Sequence, residues 1–321
     1  MPVPLVEVVR SGVLESVHLG DIAVCDSAGS LIASVGDADR VAFARSCMKP
    51  LQGAVSLASI QGRVSDRDVA VMCSSHNGEP VHVRAVRSLL KRGGLDDGVL
   101  RNPPGRPIDP EAAARVKEPA RIYQDCSGNH AGILVASAYA GWPLDSYRAR
   151  SHPHHRQLLP LIRRLAAADP LIGVDGCGIP VHGMPLRAHA TMYARMAVTA
   201  DDHPSLRRVL DAMQAEPYMV GGRERDDTAV IQAAPDLVMK EGAEALDCVL
   251  ARSEGIGVAV KIHDGGYRAA GPATIETLHQ LGLLPPGARR RLDPTWRPTL
   301  RGGDRPAATI TPIFTLSREQ T

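Results

Sequence analysis

Residues 45–52 read Arg-Ser-Cys-Met-Lys-Pro-Leu-Gln, and here the chain passes from strand-like to helix-like sequence. Before them lie the β-prone runs 6–9, 13–14, 21–25 and 31–35. Ser11-Gly12, Gly20 and Ser27-Ala28-Gly29 punctuate these runs, a pattern that predicts a meander. Pro50, directly after Lys49, marks a helix start, because proline is tolerated in a first turn. Residues 51–60 then read as a short apolar helix ended by Gly62. Ser46 and Lys49 stand three apart, which places both side chains on one face of a helical turn. A serine hydroxyl is a poor nucleophile until a base takes its proton, and an unprotonated lysine at this spacing can do so. The amide dipoles of the helix start would point at the serine.

Composition limits the classes of function. The 321 residues are 44% hydrophobic and 22% charged, ordinary for a globular chain. Aromatics make up only 3%, so the core is built from aliphatic side chains and offers no stacking platform for single-stranded nucleic acid. The net charge is +2 and the arginines are scattered, so no nucleic-acid partner is expected. Arg289-Arg290-Arg291 reads as a solvated helix end. No apolar run is long enough to cross a bilayer, and the first residues lack the basic start and apolar core of a signal peptide. A cytoplasmic protein without a membrane partner is expected, with its six cysteines reduced.

Working outward, residues 69–73 form an apolar run that reads as a buried strand. It opens into the polar loop Ser74-Ser75-His76-Asn77-Gly78-Glu79-Pro80, a common setting for chemistry. Helices are predicted over 81–92, from Asp109-Pro110 onward, over 131–140, and over 152–168, the last disturbed by Pro160 and carrying His152, His154 and His155 at the surface. Further helices are expected over 186–200 and 204–214, and after Asp226-Asp227 through Ala234. Residues 173–180 form a glycine-dense loop. Strands are predicted over 237–240, 246–252 and 256–262, with 267–270 pairing back as a hairpin. A helix over 273–283 and a closing strand over 307–314 follow. Strands at both ends with helices between them imply one α+β domain over residues 1–321, its mixed or antiparallel sheet flanked by helices.

Three polar segments carry the chemistry. Ser46-x-x-Lys49, Ser75-x-Asn77 and Lys261 before Asp264-Gly265-Gly266 follow the order of the S-x-x-K, S-x-N and K-T-G elements of penicillin-recognising enzymes. A lysine near its ordinary pKa of about 10.4 is no base at neutral pH. Burial and the second cation Lys261 would lower Lys49, with Ser75 bridging the two lysines. A second constellation, Cys126, His130, Asp175, Cys177 and His182, is a zinc-like donor set without finger spacing; packed thiols are the other reading of the cysteines. Asp226, Asp227 and Asp264 can equally serve as caps.

Segments 13–20, 45–52, 73–80, 125–132, 174–180 and 261–265 together resemble the rhizobial-type L-asparaginase family, in family order and over nearly the whole chain. The resemblance implies hydrolysis of L-asparagine to aspartate and ammonia by a homodimer similar in fold to serine β-lactamases and glutaminases. It places tandem Ser–Lys pairs on Ser46 with Lys49 and Ser75 with Lys261, with Ser46 attacking and an acyl-enzyme forming. Either serine could be the nucleophile, the other acting as relay. Arg45, His76, Asn77, Glu79 and Asp175 are the candidates for holding the substrate. The family's zinc ligands map to Cys126 and Cys177, but its lysine ligand is Asn129 here. Zinc is the cofactor in question, and no organic cofactor is implied. Two other readings stand beside this one. They are a metal- or thiol-based binding or sensing protein on the same scaffold, and a β-lactamase- or peptidase-like serine hydrolase.

Overall fold

The computed structural model describes residues 3–60 and 64–318, and statements of absence below refer to these. Its centre is an antiparallel sheet of nine strands. They are β1 (Val3–Arg10), β2 (Val13–Asp26), β3 (Leu31–Val35), β7 (Leu237–Gly242), β8 (Leu246–Ala251), β9 (Ile256–Ile262), β10 (Thr299–Gly302), β11 (Arg305–Pro312) and β12 (Ser317–Arg318). The main path runs β10-β11-β1-β2-β9-β8-β7, with β3 paired to β2 and β12 to β3. Strands β4 (Val41–Phe43), β5 (Leu171–Val174) and β6 (Pro180–Pro185) form a separate small sheet in the order β4-β6-β5.

Strand β2 organises the large sheet. Its first half pairs with β1, from Val3 opposite Gly20 to Arg10 opposite Val13. Its second half pairs with β9, from Gly20 opposite Ile262 to Asp26 opposite Ile256. Alternation of side chains along a strand sends successive residues to opposite faces. Ala23 and Cys25 of β2, Ala259 of β9 and Cys248 of β8 accordingly enter one apolar core. Ile22, Val24, Val258, Val260 and Val249 enter a second. Helix Leu186–Thr199 covers β2 and β9, while helix Tyr267–Gln280 packs on β9, β1 and β11. The fold is mixed α+β, with an antiparallel sheet and helices around it, as the sequence pattern implied.

Gly257 lets the first helix approach. A Cβ at this position would collide with the backbone carbonyl of Ala190 and stand 2.5 Å from the Ala194 nitrogen. A second helical group, including Lys49–Ser59, Asp66–Met72, Pro80–Arg92 and Ser127–Ala140, extends the first core away from the sheet. Pro50 and Pro110 open helices in the first turn as the sequence suggested, and Pro80, expected to end the polar loop, opens a third. The predicted stop at Gly62 lies outside the described residues, and helix Lys49–Ser59 ends before it.

Three expectations are corrected. Residues 69–73 are not a strand but belong to helix Asp66–Met72, started by a reciprocal capping box between Ser65 and Asp68. A short apolar run has no periodicity that separates buried strand from buried helix; the Ser65/Asp68 pair carried the missing signal. Residues 267–270 do not return as a hairpin. They open helix Tyr267–Gln280, which contains Pro272 rather than starting near it. His152, His154 and His155 are buried, not surface groups, at 2%, 0% and 4% exposure. His154 packs its Nε2 within 3.0 Å of Ser56 Oγ, and His155 places Nε2 2.9 Å from the Tyr147 carbonyl.

Candidate active site

Arg45–Met48 form one tight turn, and helix Lys49–Ser59 follows at once. Arg45 has a left-handed backbone with φ 46°, a conformation that costs a non-glycine residue energy and often marks a functional turn. Its side chain is held by Asp175, with Nε 2.6 Å from Oδ1. The same Asp175 oxygen accepts from the Gly176 amide at 2.7 Å, which fixes the loop after β5 beneath the turn.

Lys49 is only 2% exposed, and its ammonium is fully engaged. Nζ donates to the Ser74 carbonyl at 2.6 Å, to Ser75 Oγ at 2.9 Å and to Cys126 Sγ at 3.2 Å. Burial alone would lower its pKa, but the charges of Cys126, Asp125 and Cys177 outweigh this and raise it. The expected depression of Lys49 is therefore reversed. Cys126 hydrogen-bonds Cys177, and that bond, together with Lys49, lowers the Cys126 thiol. Cys177 is pushed up by the same bond and by burial. The pair is therefore asymmetric, the sulfur facing Lys49 being the more acidic of the two.

The segment carrying Ser75 is fixed from both sides. The Ser75 amide donates to the Val220 carbonyl at 2.9 Å, and the Asn77 amide to the Gly221 carbonyl at 2.8 Å. The His76 amide donates to the Asp125 carbonyl at 3.1 Å, tying this segment to the Cys126 turn. His76 receives the Gly78 amide on Nδ1 and places Nε2 2.9 Å from Ser127 Oγ, and burial keeps its pKa well below the ordinary value. Asn77 donates to the Arg223 carbonyl at 2.7 Å. Glu79 spends one oxygen on the Tyr218 hydroxyl at 2.6 Å and the other on the Arg223 amide at 3.1 Å. His76, Asn77 and Glu79 therefore brace the loop.

Ser46 and Lys261 differ from the sequence picture. The Ser46 hydroxyl has no hydrogen bond among the described residues. Lys261 stands on β9 opposite Asp21 and donates to the carbonyls of Glu244 and Ile262. Burial, with Arg40 and Arg45 nearby, lowers its pKa. It shares no hydrogen bond with Ser75, so the hydroxyl bridge between two lysines does not form; Ser75 belongs to Lys49 instead. The structure brings Lys49, Ser75, Cys126 and Cys177 together, with Arg45 and Asp175 beside them.

Sequence reasoning missed Arg225. Its Nη1 donates to the Ser75 carbonyl at 3.0 Å and to Asn77 Oδ1 at 3.3 Å, while Nε and Nη2 hold Glu241 Oε2 at 3.0 and 2.7 Å. Glu241 also caps the Asp227 amide at 2.9 Å, and Asp227 pairs with fully buried Lys240 at 2.6 Å. A cavity of about 420 Å³ opens here, lined among others by Asp125, Arg225, Asp226, Glu241, Tyr267 and Arg268. The only signal in the sequence was charge density around 223–227, which is equally the mark of a helix start.

The donors near Cys126 and Cys177 bear on the zinc expectation. Cys126 and Cys177 supply two thiols. His130 is engaged by the Tyr147 hydroxyl at 2.7 Å, Asp175 by Arg45, and His182 stands in β6 with Nδ1 buried and unpartnered. Asn129 donates Nδ2 to the Met72 carbonyl at 3.0 Å. No group of three His, Cys, Asp or Glu able to hold a metal occurs among the described residues. The set does not fit a zinc ion, and no chemical step is assigned to one.

The arrangement sets a buried lysine against a serine hydroxyl on a mixed α+β scaffold. The family model described as L-asparaginase II matches residues 6–312, and the chain belongs to that family. No curated relative matches the sequence. Among solved structures, Mglu is 14% identical over 83% of this chain with a TM-score of 0.41. The match spans 67% of that Mglu chain, and 64% of Mglu in its native form. A β-lactamase from Mycobacterium bovis is 14% identical, covering 83% of this chain and 95% of its own, with a TM-score of 0.39. A putative β-lactamase from Bacteroides dorei is 12% identical, covering 81% of this chain and 93% of its own, with a TM-score of 0.40.

Proposed function

We propose that the protein is an amidohydrolase that cleaves the side-chain amide of L-asparagine to aspartate and ammonia through a serine acyl-enzyme. The observation that carries this reading is the buried Lys49 amine held 2.9 Å from Ser75 Oγ, within a member of the L-asparaginase II family. Ser46 is the nucleophile. Its hydroxyl is unbonded, it follows the left-handed residue Arg45, and it stands on the tight turn that leads into helix Lys49–Ser59.

Lys49 acts as the base in its uncharged amine form, accepting the serine proton directly or through Ser75 and returning it to the departing ammonia. Water then attacks the acyl carbon and regenerates the serine. The Lys49–Ser75 contact also favours a second reading, in which Ser75 attacks and Ser46 relays.

Ammonia release from L-asparagine, L-glutamine and a chromogenic lactam, measured side by side, tests the reaction. Asparagine is expected to be the preferred substrate. Mass spectrometry after quenching identifies the acylated serine. A Ser46→Ala protein with wild-type turnover would overturn Ser46 as nucleophile. A folded wild-type protein that hydrolyses no amide would overturn the whole reading. We also propose that the chain acts in the cytoplasm as a homodimer, a state that sedimentation would check.

A further inference from the structure

The end of the substrate remote from the amide still needs a partner. An amino-acid amide carries a charged ammonium near the reacting carbonyl, and burying that charge requires a paired carboxylate. The acids singled out in the sequence are already committed. Asp175 is bonded to Arg45, and both oxygens of Glu79 are taken by Tyr218 and Arg223.

One carboxylate beside the reacting groups is oriented yet half open. Buried Asn102 donates Nδ2 to Gln124 Oε1 at 3.1 Å, and the same oxygen accepts the Cys126 amide at 3.1 Å. Gln124 Nε2 in turn donates to Asp125 Oδ1. This relay fixes the carboxylate by one oxygen, and Oδ2 has no protein hydrogen bond among the described residues. Asp125 lies within electrostatic reach of Lys49, Arg225 and Tyr267, so it stands between the serine–lysine centre and the cavity. The two arginines of the cavity are occupied, Arg225 by Glu241 and Arg268 by His18 and Ser16 at 2.9 Å each. A cation entering the cavity therefore meets the open Oδ2 of Asp125 rather than guanidinium groups seeking an anion.

We propose that Asp125 determines specificity by receiving, on Oδ2, the α-ammonium group of an amino-acid amide bound in this cavity. The proposal rests on the amidohydrolase reading above. It makes the enzyme selective for amides with a free α-amino group over the same amides lacking it.

The test compares kcat/KM for L-asparagine with that for succinamic acid, which has the same amide and carboxylate but no amine. Wild type is expected to prefer asparagine. In Asp125→Asn, which keeps the bond from Gln124, the preference ratio should fall about ten- to a hundredfold, the size of a charge-assisted hydrogen bond, mainly through KM. Asp125→Glu should restore part of it. An unchanged ratio in Asp125→Asn, or no preference in wild type, overturns the proposal. Calorimetric titration of both proteins with L-asparagine separates this outcome from failure of the reaction itself. If wild type cleaves no amide, the amidohydrolase reading falls. Weaker binding by Asp125→Asn would then still support an ammonium site, and equal or absent binding would overturn it.

Discussion

Lys49 shows how one residue can be found in the sequence while its electrostatic state is not. The spacing to Ser46 and the proline after it marked the residue. The charges that set its proton come from Cys126, Asp125 and Cys177, distant in sequence. Replacing Lys49 with methionine is expected to lower ammonia release by about a hundredfold or more, the usual scale of a lost acid–base group. Lys49→Arg should not rescue, because guanidinium does not deprotonate. Retained turnover in Lys49→Met would contradict the assigned role. Asn129 permits a second prediction at this scale. It lies one helical turn from Cys126, with its Oδ1 buried and unpartnered. Lysine there would add an amine donor beside the two thiols. After dialysis and elemental analysis, Asn129→Lys should retain more zinc than wild type; equal zinc would show that this position does not govern the metal. Asp125 and Arg225 were illegible for another reason: each acts through partners that only the tertiary fold supplies.

Among the elements, strands with clean alternation were readable, and those set by close backbone contact were not. β3, β7, β8 and β9 fall where the β-branched runs predicted, because their side chains enter two cores alternately, whereas β2 runs unbroken through Gly20, where the sequence suggested a turn. β4, β5 and β6 were missed. They are short, and glycines such as Gly173 and Gly183 leave room for Phe43 to lie across them, a device with no hydrophobic period. Gly257 is a similar contact inside the large sheet. Gly257→Ala would force helix Leu186–Thr199 away from β9 and is expected to cost about 1–3 kcal/mol, the range of overpacking. Denaturant unfolding would show this as a lower midpoint, and an unchanged midpoint would mean the helix moves freely. The Lys240–Asp227 pair, both fully buried, fixes β7 to helix Asp226–Ala233. Lys240→Met leaves an unpaired buried carboxylate and should cost about 3–5 kcal/mol. Adding Asp227→Asn should recover part of that loss. If the double variant were no more stable than the single one, the pair would not be the source of the cost.

Over the whole molecule, histidine burial ties stability to pH. Desolvation lowers His130 and His154 to about 3, and His155, His182 and His189 to about 4. Each has a buried ring nitrogen without a partner, so none can gain a proton in the fold without desolvating a charge. In the unfolded chain these groups titrate near their ordinary value of about 6.5. Between that value and the folded ones, the unfolded state binds more protons, so stability rises with pH and is lost as pH falls. At about pH 5 each histidine forfeits on the order of 2 kcal/mol, and a few of them together rival the whole stability of a domain. Asp247, pushed up to about 8 by burial, and Asp226, also raised, work in the opposite direction, because they hold protons in the native state that the unfolded state releases. These five histidines, joined by His76, His82 and His152, whose values burial also lowers, outnumber the two aspartates, so the net effect is acid lability beginning below about pH 6.5. Guanidinium unfolding at a series of pH values should show stability falling steeply between about pH 6.5 and 5, with net uptake of protons on unfolding. A flat profile across that window would mean that the histidine cluster takes up protons without unfolding the protein.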